Sequence, residues 1–513
     1  MDKDRLEEEL EKIQQLLIAQ EPVAQGISAS VHGQYHISAK NLYRYLLLRS
    51  SDIRGIQGIL SELGISSLGS AAGYVFENVS SALHLVKLLN DKPSQKDLSI
   101  ESIGFSGSNQ LLVDHTNTLF TSKKKAHETE IMVTMPDEAA TDKQLLERLF
   151  LAGMGIARIN LSHGDVELWQ NMVKNLKNVT QTLDLPLRIY MDLPGPKIRT
   201  TELFIKEASD KRPQQLEFLR LAQGDEVILT YMPSFKSDLE IGEKQLNIPF
   251  VGVSLPQVID DLQVGHRVFF DDGTFEGEVI SKAPDKIGLS IIKVHKKKLR
   301  PEKGINLPDT YLNLPSLTEE DLELLPFVIE HADIVGYSFV RNAADVGKLY
   351  RELHKLNDSK TGVIFKIENR EAFDNLPLIL FEAMKRPNIG VMIARGDLAV
   401  EIGFERISEV QNQILWLCEA GQIPVIWATQ VLDTLAKKGI ATRAEISDAT
   451  ISAQAECVML NKGPFIVEAV QTLKNVLKRM ESHSLKKKNT LRALKVAKKS
   501  LERIDNGEVP FSG

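Results

Sequence analysis

The chain has 513 residues and a formal net charge of −7, with 43% hydrophobic and 26% charged residues. This length exceeds what a single core organises and predicts several domains, while the balanced composition excludes a disordered, collagen-like or fibrous chain. A pI near 6.0 gives no overall pull toward nucleic acid or membrane, and neither is expected as a partner. The two cysteines, Cys418 and Cys457, stand in apolar surroundings and offer no disulfide framework. The first residues, MDKDRLEEELEK, are too acidic and polar for a signal peptide. No apolar run approaches the roughly 20 residues needed to span a bilayer, so a soluble, cytoplasmic protein is expected.

Leu6, Leu10, Ile13 and Leu17 recur at helical spacing among Glu and Lys, and similar patterns run over 39–63 and 71–89. They predict an N-terminal helical domain. Lys, Ser, Asn and Thr then dominate 92–127, which reads as a linker.

From Ile131 onward, short apolar strands alternate with helical patterns. The strands are IMVTM, IARIN, RIYMD, DIVGYSFV, GVIFKIE, GVMIA, PVIWAT and CVML, beginning at Ile131, Ile156, Arg188, Asp333, Gly362, Gly390, Pro424 and Cys457. Such alternation implies parallel strands with right-handed crossovers, and eight repeats point to a closed (β/α)₈ TIM barrel. Between the third strand and its helix lie strand-like segments separated by Gly, Asp and Lys turns, LRLAQGDEVILTY, HRVFFDD, FEGEVISKA and KIGLSIIKVH. They predict an inserted β-rich domain on a βα loop, hence at the barrel's C-terminal rim, where it would act as a lid. The expected division is 1–127 for the helical domain and linker, 128–200 with 304–482 for the barrel, 201–303 for the lid and 483–513 for a basic tail.

Residues two apart in a strand share a face, so polar residues at i and i+2 near a strand's end aim together at one place. Arg158, Asn160 and Ser162 do so, as do Lys366 and Glu368, and Asp192, Ser338, Asp397 and Thr429 end or follow other strands. Burying that many polar groups at one rim without function would be costly. Glu368 and Asp397 offer hard carboxylate oxygens suited to Mg²⁺ (or Mn²⁺) completed by substrate and water. Arg158 and Lys366 supply fixed positive charge for a phosphoryl group or an enolate, and the amides of the helical turn beginning at Gly396 could hold a carboxylate or phosphate. Spacing alone does not choose between phosphoryl and enolate chemistry.

The stretches GMGIARINLSHG, MDLPGPKIRT, FDDG, KGINLP, DIVGYSFVRNAADV, KIENREAFDN, IARGDLAVEI and PVIWATQVLDTLAKKGIATRAEISDA, taken in order, resemble the pyruvate kinase family over roughly 130–460. The resemblance implies transfer of phosphate from phosphoenolpyruvate to ADP, giving pyruvate and ATP in glycolysis. It implies Mg²⁺ ligands at Glu368 and Asp397, a phosphoryl- and enolate-stabilising Lys366, a phosphoryl contact at Arg158, and Thr429 beside the protonated carbon. Gly396, Asp397, Thr429 and Ser338 would surround the substrate. Arg199, Lys303 and the lid residue Asp272 would face the nucleotide, and Asn160, Ser162, Asp192 and the Leu193 carbonyl would form a K⁺ site.

Departures from the family pattern are also legible. The first-strand motif, which in the family reads like TIGPA, is here TMPDEAA, and the family's SGET after the last strand is replaced by Asn461, Lys462, Gly463 and Pro464. Lys197 stands where many family members have Glu. Its ammonium near Asp192 could replace K⁺, so turnover without added K⁺ is expected. The family's C-terminal regulatory domain and its allosteric control are expected to be missing, and an oligomer is compatible with the sequence. The tail around Leu491, Leu494 and Leu501 reads as a basic amphipathic helix docking on its own protein. Trp169, Trp416 and Trp427 read as core, and His163 as an ordinary hydrogen-bonded histidine. Two other readings stand beside the kinase: another Mg²⁺-dependent enolate or phosphotransfer enzyme, and a non-catalytic barrel that binds phosphoenolpyruvate or nucleotide.

Overall fold

The structure, a computed structural model, describes residues 3–96, 99–120, 128–205, 213–231, 247–480 and 493–507. Its strands in chain order are β1 Glu130–Thr134, β2 Ile156–Asn160, β3 Arg188–Asp192, β4 Thr200–Ile205, β5 Gln214–Leu216, β6 Glu226–Tyr231, β7 Phe250–Val253 and β8 Arg267–Phe270. They continue as β9 Phe275–Lys282, β10 Lys286–Val294, β11 Ile305–Asn306, β12 Ile334–Tyr337, β13 Gly362–Ile367, β14 Ile389–Ala394, β15 Val425–Ala428 and β16 Cys457–Leu460.

β1, β2, β3 and β12 to β16 close a barrel in the order β1-β16-β15-β14-β13-β12-β3-β2. All its pairings are parallel. These are the eight strands expected from the sequence. Their near-continuous apolar runs reflect burial on both faces, by the barrel interior within and by helices outside. Met132, Ile156, Tyr190, Ile334, Ile364, Met392, Ile426 and Cys457, one from each strand, fill the interior. A packed core of this kind leaves only the strand ends for polar groups.

β4 to β11 form a second sheet, ordered β11-β8-β9-β10-β6-β7-β4-β5, with its own buried cluster around Leu203, Val251, Phe270 and Leu289. This is the lid-like insertion. The short strands β4, β5, β7 and β11 escaped the sequence reading, because two to six residues carry little periodicity. The turn joining β8 to β9 rests on the barrel side: a Cβ at Gly273 would lie 3.4 Å from Phe404 and 3.6 Å from Val400.

The N-terminal region is helical, with helices Lys3–Ala19, Glu21–Ala29, His36–Arg49, Arg54–Glu62 and Val75–Leu89. Leu6, Leu10 and Leu17 of the first helix are buried, and Ile13 packs on the same core. The expected linker holds a further helix, Phe105–Leu119. Its polar sequence conceals a docking role. Leu119 and Phe120 enter the barrel's inner cluster and close its N-terminal end. Gly362 and Gly390, opening β13 and β14, make room: a Cβ at either would collide with the Leu119 side chain.

The tail forms the helix Lys495–Asp505, with Val496, Ala497, Leu501 and Ile504 buried. It packs on helix His36–Arg49 and on the helices Arg370–Asp374 and Leu376–Ala383, and the Leu494 amide donates to the Arg49 carbonyl at 2.9 Å. The expected docking holds, although Leu491 lies outside the described residues. Cys418 and Cys457 are free and buried. Trp169 and Trp427 are core, whereas Trp416 is half-buried and stacks beneath Arg49, 5.1 Å from ring centre to guanidinium. Among the described residues no helix is long and apolar enough to cross a membrane.

Candidate active site

The C-terminal strand ends bring the polar residues together. Thr134 and Arg158 are register partners across β1 and β2, and Asn160 and Asp192 across β2 and β3. Arg158 donates through Nε to Asp192 Oδ2 at 2.6 Å and through Nη1 to Thr134 Oγ1 at 2.9 Å. The Tyr190 hydroxyl donates to the other Asp192 oxygen at 2.6 Å. Gly336 of β12 is required opposite: a Cβ there would overlap both the Tyr190 hydroxyl and the Asp192 carboxylate.

Lys366, on β13, lies 3.5 Å from Asp192 and 3.1 Å from Glu368, and donates to Ser338 Oγ at 2.8 Å. Ser338 in turn donates to the Leu193 carbonyl at 2.7 Å. The second oxygen of Glu368 accepts the Phe339 amide at 2.7 Å. These contacts hold a ladder of alternating charge, Arg158, Asp192, Lys366, Glu368, across β2, β3 and β13.

Electrostatics follow from that ladder. Burial would raise Asp192, but the charges of Arg158 and Lys366 and the Tyr190 hydroxyl outweigh it and hold the carboxyl below its ordinary value. Burial would lower Lys366, yet Asp192 and Glu368 keep it above its ordinary value and charged. Glu368 differs: burial raises it, the charge of Asp397 adds to the rise, and Lys366 and Lys197 only partly offset them.

Asp397 lies in helix Arg395–Ile402, which starts at the end of β14. Its oxygens accept Lys197 at 2.9 and 3.1 Å and Asn306 at 3.4 Å. The position expected of Lys197, beside Asp192, is therefore corrected to Asp397. Asp192 is already occupied by two cations and a hydroxyl, whereas Asp397 faces the open cleft. Asn306 also donates to Glu401 at 3.4 Å, and Glu401 is pushed up to about 7, chiefly by desolvation, with Asp397 adding to the rise.

Thr429 directly follows β15 with φ +66, a left-handed conformation unusual for a β-branched residue. Its buried hydroxyl has no hydrogen-bond partner among the described residues and faces Gly396, where a Cβ would lie 3.7 Å from it. Arg395 fixes this corner by donating to the Ala428 and Thr429 carbonyls at 3.0 and 2.6 Å and to Asp448. It also lies over the Trp427 ring at 4.7 Å.

Of the expected K⁺ ligands, Asn160 Oδ1 accepts the Ser162 amide at 3.3 Å, Leu193 O accepts Ser338, and Asp192 is paired as above. Of the residues expected to face the nucleotide, Arg199 donates to the Glu302 carbonyl at 3.3 Å, and Lys303 pairs with Asp271 at 3.1 Å. Asp272 stands in the same turn with φ +56, but it is Asp271 that takes Lys303 and Lys296. His163 is lowered by burial and by the charges of Arg199 and Lys462, which marks this side as electropositive. The two altered segments meet there, where Lys462 pairs with Asp137 at 3.1 Å.

Tyr190, Thr134, Asn306, Glu401 and Arg395 were missed in the sequence. Tyr190 shares a face with Asp192 at i and i+2 and was findable; the others act through partners far away in the chain.

Glu368, raised by burial and further by the charge of Asp397, and Asp397 itself offer hard oxygens that fit a divalent cation. Among the described residues no group of three or more His, Cys, Asp or Glu could hold a metal. A bound Mg²⁺ would therefore take its other ligands from substrate and water.

Comparison with known proteins agrees with this geometry. The family model described as pyruvate kinase, barrel domain, matches residues 126–470. A pyruvate kinase of Bacillus licheniformis is 34% identical over 360 residues, covering 69% of this chain and 57% of that protein. One from Staphylococcus aureus (strain USA300) is 33% identical over 357 residues, covering 68% of this chain and 56% of that protein. The chain thus aligns with little more than half the length of these relatives. With its barrel, its lid-like sheet and this match, the chain belongs to the pyruvate kinase family.

Proposed function

We infer that the chain transfers phosphate from phosphoenolpyruvate to ADP with Mg²⁺. The observation that carries this reading is the single rim on which Arg158, Lys366, Glu368 and Asp397 converge, with Lys366 held between two carboxylates at 3.5 and 3.1 Å. Arg158 and Lys366, kept charged and fixed, would neutralise the transferring phosphoryl group and the enolate left behind. Their partners remove the cost of orienting them during reaction. Mg²⁺ on Glu368 and Asp397 would add Lewis-acid stabilisation of the substrate oxygens. The amides of Gly396 and Asp397 would hold the substrate carboxylate. The unpartnered Thr429 hydroxyl beside them could pass a proton to the enolate carbon, consistent with the absence of the family's serine and glutamate after β16. Arg199, Lys303 and the electropositive surroundings of His163 would receive the nucleotide phosphates under the lid. Lys197 would supply, at Asp397, the single positive charge that K⁺ otherwise brings.

The test is pyruvate formation from phosphoenolpyruvate and ADP as Mg²⁺ is titrated, comparing the natural chain with Glu368→Gln. Mg²⁺-dependent turnover that the substitution reduces at least about a hundredfold supports the kinase. A second reading rests on the altered TMPDEAA and NKGP segments, which meet through Lys462 and Asp137: a barrel that binds phosphoenolpyruvate without turning it over. Binding of phosphoenolpyruvate with Mg²⁺ but no pyruvate would favour it.

A further inference from the structure

The cleft holding Glu368 and Asp397 continues well beyond them. It is one cavity of about 740 Å³, far more than a three-carbon phosphate ester occupies. Its far end is walled by Leu312, Leu314 and Leu378, by Tyr311, and by Lys499 and Arg503 of the C-terminal helix. These residues belong to the lid's return segment, to the barrel and to the tail, so the docked C-terminal helix supplies part of this wall.

The far end has an unbalanced polar character. Arg370, two residues beyond Glu368, lines the same cavity, and its Nε is buried with no hydrogen-bond partner among the described residues. The acids around it are occupied. Asp309 takes Arg267 at 2.7 and 2.8 Å, and Glu371 takes the Tyr311 hydroxyl at 3.0 Å and Asn342 at 3.4 Å. Asp374 has Lys499 at 3.5 Å, a long and solvent-exposed pair, and Arg503 donates to the Asn375 side-chain oxygen Oδ1. Glu401 and Asp309 feel the charge of Arg370 without bonding it. A buried guanidinium donor without an acceptor costs free energy that an oxyanion would recover. The exposed Tyr311 ring, 74% accessible, and the leucine wall offer an apolar surface beside it.

We propose that the far end of this cleft is a second binding site, for a small molecule bearing one phosphate or carboxylate group on an apolar or aromatic body. Its oxyanion meets Arg370, with Lys499 and Arg503 adding positive charge, and its body lies against Tyr311 and the leucines. Such a ligand also touches the segment by which the lid returns to the barrel, so occupancy would alter lid movement and turnover. The site goes beyond the kinase reading, and only its effect on turnover rests on that reading.

Phenyl phosphate and benzoate serve as probes, with binding to the full chain followed by titration calorimetry and ligand-observed NMR. Saturable binding of either probe is expected, and which one binds tells phosphate from carboxylate. Arg370→Gln should weaken it about tenfold or more, Arg370→Lys less, and Lys366→Met not at all. Unchanged thermal midpoints establish that the variants are folded. Failure of both probes to bind at millimolar concentration overturns the proposal. So does binding that survives Arg370→Gln, or binding that Lys366→Met abolishes, since the probe would then occupy the catalytic rim.

Discussion

The Lys197 ammonium lies 2.9 and 3.1 Å from the two oxygens of Asp397, a residue 200 positions further along the chain. Asp192, the partner expected from the sequence, is instead neutralised by Arg158 and Lys366. Asp192, Glu368 and Asp397 therefore each lie beside a protein cation.

Turnover should accordingly proceed without added K⁺. Lys197→Met leaves Asp397 without its cation and should lower the rate about tenfold in K⁺-free buffer, with partial recovery when K⁺ is added. Steady-state rates in tetramethylammonium and in potassium buffers check this. A natural chain that is inactive until K⁺ is supplied would contradict it.

Glu401 predicts a dependence of stability on pH. It is pushed up from its ordinary 4.5 to about 7, so the folded protein holds this proton more tightly than the unfolded chain does. Its contribution is whole below about pH 4.5 and is lost as pH rises through about 7, a loss of order 3 kcal/mol. Glu401→Gln keeps an acceptor for Asn306 and removes the titration. Its thermal midpoint relative to the natural chain should rise between pH 5 and pH 8. A constant difference between the two proteins across that range would refute the assignment.

Leu119 makes the N-terminal region part of the barrel's own core. Its side chain is 2% exposed and packs among the inner-strand residues. Leu119→Ala should leave a cavity at the barrel's end and cost about 2–4 kcal/mol, seen as a thermal midpoint lower by several degrees. Glu62→Ala, on the surface of the same region, should change little.

The barrel was readable in the sequence because each strand is a short buried run followed by a longer helical period, and that contrast survives without any tertiary information. The rim residues were readable for a related reason: Arg158 with Asn160, and Lys366 with Glu368, are polar at i and i+2 exactly where apolar runs end. Partners were not readable. Nothing local places Lys197 on Asp397, Asn306 between Asp397 and Glu401, or Arg395 beneath Thr429, because each contact joins segments that only the folded chain brings together. Helix Phe105–Leu119 was hidden for a different reason. Its sequence, FSGSNQLLVDHTNTL, is polar, and only its last turn enters the apolar interior.

The central claim is that Lys366, fixed between Asp192 and Glu368, stabilises phosphoryl transfer from phosphoenolpyruvate. The most direct measurement is ³¹P NMR of phosphoenolpyruvate, ADP and Mg²⁺ with the natural chain and with Lys366→Met. Conversion to ATP by the natural chain, and a rate at least about a thousandfold lower for the variant while phosphoenolpyruvate still binds, is the predicted result. Equal conversion by both proteins, or none by the natural chain, would contradict it.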